Sequence, residues 1–114
     1  NGEDATAEEI ALGIEAIVGR LRKGVPNAKI LLLAIFPRGE KPGPQRAKNA
    51  RASELAAATF AGDDLVVSAD LGHLFVEADG TILKSVMGDF LHLTKPAYRV
   101  WSDALLPLVE PLLQ

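Results

Sequence analysis

Residues 30–36 read Ile-Leu-Leu-Leu-Ala-Ile-Phe, an unbroken apolar run closed by Pro37 and preceded by Pro26. No other feature limits the available folds as much. A strand with one face in water alternates apolar and polar side chains, because successive residues point to opposite faces. Seven consecutive apolar residues instead fit a strand covered on both faces, as in a parallel sheet. A helix is the weaker reading, because the two prolines leave it too little room. The run is also far shorter than the ~20 residues needed to span a bilayer, so no membrane partner is expected.

The flanking segments supply helices for such a sheet. Thr6 and Glu9 have the spacing of a capping box, in which each side chain takes the other residue's backbone N–H. Ile10, Ile14, Ile17, Val18 and Leu21 then recur at helical spacing, and Gly24 with Pro26 ends the helix. After the apolar run, residues 37–44 hold three prolines and two glycines and read as a loop. Residues from about 45 to 61 are alanine-rich and favour helix, with Leu55 and Phe60 the largest apolar groups. Gly62-Asp-Asp64 breaks that helix before a second β-type run, Leu65-Val-Val-Ser68.

A turn-rich stretch follows, sharpest at Ala78-Asp-Gly-Thr81. Thr94 then caps a last helix with Pro96 in its first turn, where the missing N–H costs nothing. Val100, Trp101, Leu105, Leu108, Val109 and Leu112 form its apolar side, with Trp101 read as core, and Pro107 and Pro111 should kink or fray its end. The order helix, strand, helix, strand, helix predicts an α/β fold with a parallel sheet. At 114 residues the chain has room for one domain. Two strands are few for so apolar a central run, so further strands are expected from a missing segment or from another chain.

Composition closes several functional classes. The net charge of −3 offers no field for a phosphate backbone, so no nucleic acid partner is expected. Without cysteine there is no disulfide, thiolate metal site or thiol catalysis. The first residues, Asn1-Gly-Glu-Asp4, are acidic and polar, unlike a signal peptide.

Both histidines follow an aspartate by three residues, in Asp70-Leu-Gly-His73 and Asp89-Phe-Leu-His92. An aspartate so placed on a bent loop can accept the Nδ1 proton of the histidine, fix its tautomer and leave Nε2 as a general base. The bland alternative is an aspartate that satisfies nearby backbone N–H groups at a helix entry. For Asp70 and His73 the structural reading is preferred. Zinc held by Asp70, His73, Asp89 and His92 together is chemically acceptable, but no spacing in the sequence joins the two loops. Arg38 could meet a substrate carbonyl or anion, although an exposed, solvated arginine is the ordinary state.

Context separates the two copies. Asp89-Phe-Leu-His-Leu-Thr-Lys-Pro-Ala-Tyr98 runs directly into the last helix. It resembles the last conserved block of the GDSL/SGNH hydrolases, a D-x-x-H loop before the final helix. Residues 29–40, Lys-Ile-Leu-Leu-Leu-Ala-Ile-Phe-Pro-Arg-Gly-Glu, resemble the fourth strand and following loop of the branch related to platelet-activating factor acetylhydrolase subunits. Gln45-Arg-Ala-Lys-Asn-Ala50 is similar to the start of the next helix, and residues 83–88 fit the approach to the D-x-x-H loop. The resemblance covers nearly the whole chain.

It implies a flavodoxin-like three-layer α/β/α esterase fold, present as a C-terminal αβαβα fragment over residues 1–114. His92 would be the general base and Asp89 its orienting carboxylate, with no cofactor. The family's serine lies in an upstream Gly-Asp-Ser block that is absent here. None of Ser53, Ser68, Ser85 and Ser102 follows a Gly-Asp pair. The family's Gly-x-Asn block sits just before the first helix, near Asn1, which is assigned no role. The expectation is therefore the base-carrying part of an enzyme for small-acyl esters, nearly inactive alone, with the serine on a missing N-terminal segment or a second chain. The alternative is an inactive fragment that assembles as a strand-exchanged homo-oligomer, a dimer being the simplest.

Overall fold

The computed structural model describes residues 4–113. Helix α1 (Ala7–Gly24) starts at the capping box: Thr6 Oγ1 accepts the Glu9 N–H and Glu9 Oε1 accepts the Thr6 N–H, both at 3.1 Å. Its buried positions are Ala7, Ala11 and Val18, with Ile14 half-buried. Ile17 and Leu21, placed by their spacing on the inner stripe, are 62% and 45% exposed. The reason lies in the partner. α1 packs against α2 (Pro44–Thr59), whose buried side chains are Asn49, Ala52 and Ala56. Small residues let the helices approach closely along one line, and Ile17 and Leu21 stand on the flank of that line.

Strand β1 (Ile30–Leu33) pairs in parallel with β2 (Val66–Ala69), with Ile30 opposite Val66 and Leu33 opposite Ala69. The ladder continues at both ends, where Ile30 N–H donates to Leu65 O at 2.7 Å and Ala34 N–H to Ala69 O at 2.8 Å. Among the described residues this is a two-stranded sheet. Two sequence expectations change here. The strand stops at Leu33 rather than Phe36, and its side chains are half-buried rather than covered. A strand with one neighbour keeps an open edge, so apolar residues suited to a sheet interior stay partly in water.

Pro44 opens α2 at a first-turn position, with Gly43 as the cap residue. After β2 the chain makes a 3-10 turn, Gly72–Phe75, at the start of the stretch expected to be turn-rich. The tightly packed centre of this half lies in the turn-rich stretch. Phe75, Ile82 and Met87 are fully buried, joined by Leu93 and Ala97, with Phe36, Val86, Phe90 and Trp101 around them. Burying each large side chain contributes roughly 1.5–3 kcal/mol.

Helix α3 (Lys95–Val109) begins at Thr94, whose Oγ1 accepts the Ala97 N–H at 3.4 Å. Trp101 lies edge-on to Phe36 at 6.0 Å and is half-buried, its Nε1 buried without a hydrogen-bond partner among the described residues. Val100, expected on the inner side, is exposed. The helix runs through Pro107 and tightens into a 3-10 turn over Glu110–Leu113. No helix among the described residues is long and apolar enough to cross a membrane.

Candidate functional site

The two D-x-x-H segments adopt different geometries. In the first, Asp70 Oδ1 accepts the Gly72 N–H at 2.8 Å and the chain turns at once into the 3-10 helix that carries His73. Asp70 there serves the backbone turn. In the second, Phe90 takes a left-handed backbone conformation, φ 59°, uncommon for a residue with a side chain. That reversal brings the next two N–H groups back onto Asp89, whose Oδ1 accepts from Leu91 N at 2.9 Å and His92 N at 2.8 Å. Its other oxygen, Oδ2, meets His92 Nδ1 at 2.7 Å.

Asp89 is thus held by three hydrogen bonds from the turn it begins. The His92 backbone N–H, then the His92 ring, then the Leu91 N–H hold its carboxyl well below the usual carboxylate range. An ionised Asp89 accepts hydrogen bonds and directs the Nδ1 proton of a neutral His92 toward itself, so Nε2 is the nitrogen able to take a proton. Both side chains are open to solvent, 57% exposed for Asp89 and 74% for His92. The antiparallel bridge between Met87 and Leu93 closes the base of this turn. Thr94 N–H donates to Val86 O at 2.8 Å beside it.

Leu91 borders a hollow of about 310 Å³ formed with Ile10, Ile35, Phe36, Arg38, Gln45 and Asn49. Arg38 is half-buried there rather than solvated as expected. A larger cleft of about 520 Å³ opens between β1, α2 and the loop after β2, and it takes in Asp70, His73, Ser53 and Ser68. Ser53 Oγ accepts the Ile35 N–H at 2.9 Å, a structural role at the end of β1. Among the described residues no group of three or more aspartate, glutamate or histidine side chains could hold a metal ion, so the four-residue zinc arrangement is not formed. Asn1 lies outside the described residues.

Sequence reasoning missed Arg46 and Asn49. Asn49 is the buried polar residue of α2, and its Oδ1 accepts from Gln45 Nε2 at 2.9 Å. Arg46 gathers three backbone carbonyls: Nε donates to Arg38 O at 3.0 Å, Nη2 to Gly39 O at 2.9 Å and Nη1 to Gly80 O. One available signal was the Pro/Gly-rich loop itself, because carbonyls outside sheets and helices require donors from elsewhere.

No family model matches the chain. A platelet-activating factor acetylhydrolase IB subunit alpha2 from Gallus gallus is 44% identical over 114 residues, all of this chain and 50% of that protein. This chain is homologous to the platelet-activating factor acetylhydrolase IB subunits. The human alpha2 subunit is 42% identical over the same 114 residues, and the bovine alpha1 subunit 39% over 113. The chain spans about half the length of these acetylhydrolase subunits. A solved structure from Streptococcus pneumonia, described as a candidate platelet activating factor, superposes with a TM-score of 0.79 at 23% identity, over 94% of this chain and 53% of that one. At that identity the superposition shows the fold, which is the α/β arrangement that the apolar run and the flanking helices predict.

Proposed function

We propose that this chain supplies the base and its orienting carboxylate to a serine acylhydrolase that acts on esters of small acyl groups. The observation that carries the reading is the 2.7 Å contact between His92 Nδ1 and Asp89 Oδ2 on an exposed turn. It is supported by homology to proteins named as acetylhydrolases. A serine hydroxyl contributed by a segment or chain beyond these 114 residues attacks the ester carbonyl, and its proton passes to His92 Nε2. Asp89, kept ionised, stabilises the resulting imidazolium. The tetrahedral intermediate then collapses as His92 returns the proton to the departing alcohol oxygen. Water repeats the sequence on the acyl-enzyme and releases the acid.

The experiment is ester hydrolysis by the complete assembly, with His92→Ala and Asp89→Asn. Each substitution should lower kcat by about 10⁴-fold or more. Retention of wild-type kcat by His92→Ala would remove the reading.

A second reading is favoured by one observation, the half-buried state of every residue of β1 in a two-stranded sheet. Here the chain alone is inactive, and a second copy covers the open sheet edge. Sedimentation separates this from a compact monomer.

A further inference from the structure

The turn that pairs Asp89 with His92 is braced from outside its own segment. Phe90 holds a left-handed conformation that is disfavoured for a residue with a side chain and persists only where the surroundings impose it. Its N–H bonds to Met87 O at 3.1 Å, and its carbonyl accepts the Gly39 N–H at 2.7 Å. Gly39 belongs to the loop after β1 and has φ 82°, a conformation suited to glycine. The loop 38–40 lies outside the sheet and the helices. The guanidinium of Arg46, in the first turn of α2, holds it by bonding the carbonyls of both Arg38 and Gly39. The third bond, to Gly80 O, ties the same group to the sharp turn that precedes the buried Ile82. Nearby, Ile82 N–H donates to Glu40 O at 2.9 Å, so the two loops are joined on either side of the arginine.

We propose that Arg46 is a positioning residue for the Asp89–His92 pair, acting by holding Gly39 N–H against Phe90 O so that the 89–92 turn keeps its left-handed bend. The fork geometry matters, because a guanidinium presents five donors in one plane while an ammonium is a single compact charge. Without the fork, loop 38–40 loses two of its carbonyl anchors, and the Phe90 carbonyl loses a fixed donor. Phe90 can then relax toward negative φ, which withdraws the Leu91 and His92 N–H groups from Asp89. The catalytic meaning of this brace rests on the proposed role of Asp89 and His92, whereas the brace itself is a statement about geometry.

Its test is therefore read on the pair, by NMR of the 114-residue chain. The His92 Nδ1 proton is observed directly, and the Asp89 carboxyl carbon is titrated, in wild type, Arg46→Ala, Arg46→Lys and Val18→Ala. The last destabilises α1 through its buried contact and controls for general loss of stability. In Arg46→Ala the signal of the Nδ1 proton bonded to Asp89 should be lost, and the Asp89 titration should move up toward the ordinary value of about 3.9. Arg46→Lys should show a smaller shift in the same direction, and it supplies the result if Arg46→Ala does not fold. Val18→Ala should melt earlier with both signals in place. If the folded arginine variants keep the Nδ1 proton and the depressed Asp89 titration, the proposal is overturned. The two readings fail separately. In the complete assembly, an active His92→Ala defeats the catalytic role, whereas an inactive His92→Ala beside an Arg46→Lys of unchanged kcat and unchanged Asp89 titration defeats only the brace.

Discussion

Thr94 Oγ1 donates to the carbonyl of Ser85 at 2.6 Å and accepts the Ala97 N–H at 3.4 Å, so one hydroxyl closes the 85–94 loop and starts the last helix. The Asp89–His92 turn lies inside that loop, and its two ends are therefore clamped by the same residue that caps α3.

Removal of this hydroxyl should be felt in stability. Thr94→Ala loses a cap, a change that typically costs about 1 kcal/mol, together with the bond to Ser85. Thr94→Ser keeps both partners and should retain most of the stability. Urea unfolding of the three proteins checks this, and equal midpoints for Thr94→Ala and wild type would show that the clamp contributes nothing.

The buried centre within irregular backbone makes a second claim. Met87→Ala and Ile82→Ala empty fully buried sites and should each cost about 2–5 kcal/mol. Leu106 is exposed on α3, and Leu106→Ala should change stability by less than about 0.5 kcal/mol. Similar midpoint losses at all three positions would contradict the placement of the core.

Gly80 has φ 86°, and a β-carbon there would meet Pro42 Cγ at 2.6 Å. Gly80→Ala combines a disfavoured backbone conformation, of order 1–3 kcal/mol, with a clash against the 37–43 loop. A clear drop in melting temperature is expected, and an unchanged one would mean that the two loops are not in contact.

Stability should also fall on the acid side. Glu9, held by the Thr6 backbone N–H, Asp63, held by Arg22, Asp79, held by the Thr81 side chain, and Asp89, held by the His92 N–H, all have depressed carboxyl pKa values. A depressed group stays ionised in the folded state where the unfolded chain already binds a proton. Its contribution is therefore complete above the unfolded values of about 3.9–4.3 and is lost as pH falls through the lower folded values. Urea midpoints measured from pH 7 downward should hold until about pH 5 and then decline. Asp63→Asn or Asp79→Asn should flatten that decline. A midpoint that stays constant to pH 3 would contradict the shared direction of these shifts.

What the sequence made legible follows from which interactions are local. The Thr6–Glu9 box, the Thr94 cap and Pro96 in the first turn act over three or four residues, and their spacing is visible in the chain. The two parallel strands were legible from apolar runs bounded by breakers. The extent of β1 and the burial of α1 were not, because each depends on what lies opposite: an open sheet edge for Leu33 and its neighbours, alanines on α2 for Ile17 and Leu21. Phe75, Ile82 and Met87 were hidden because turns impose no period on buried positions. The Asp89–His92 pair could be chosen over Asp70 and His73 only from D-x-x-H together with the segment that runs into the last helix. The backbone geometry that forms the pair, the left-handed Phe90, is not announced by residue identity. Arg46 stayed hidden for the same reason, since one of the carbonyls it binds is 34 residues away.

The central claim is that His92 serves as base for a serine outside this chain, and labelling with a fluorophosphonate serine probe tests it most directly. Intact mass would be read on this chain and on any chain that co-purifies with it, for wild type and His92→Ala. The account predicts no adduct on this chain and an adduct on a serine-carrying partner, lost when His92 is replaced. An adduct on this chain that disappears in His92→Ala would show that one of its own serines is the nucleophile, and partner labelling indifferent to His92 would show that His92 is not the base.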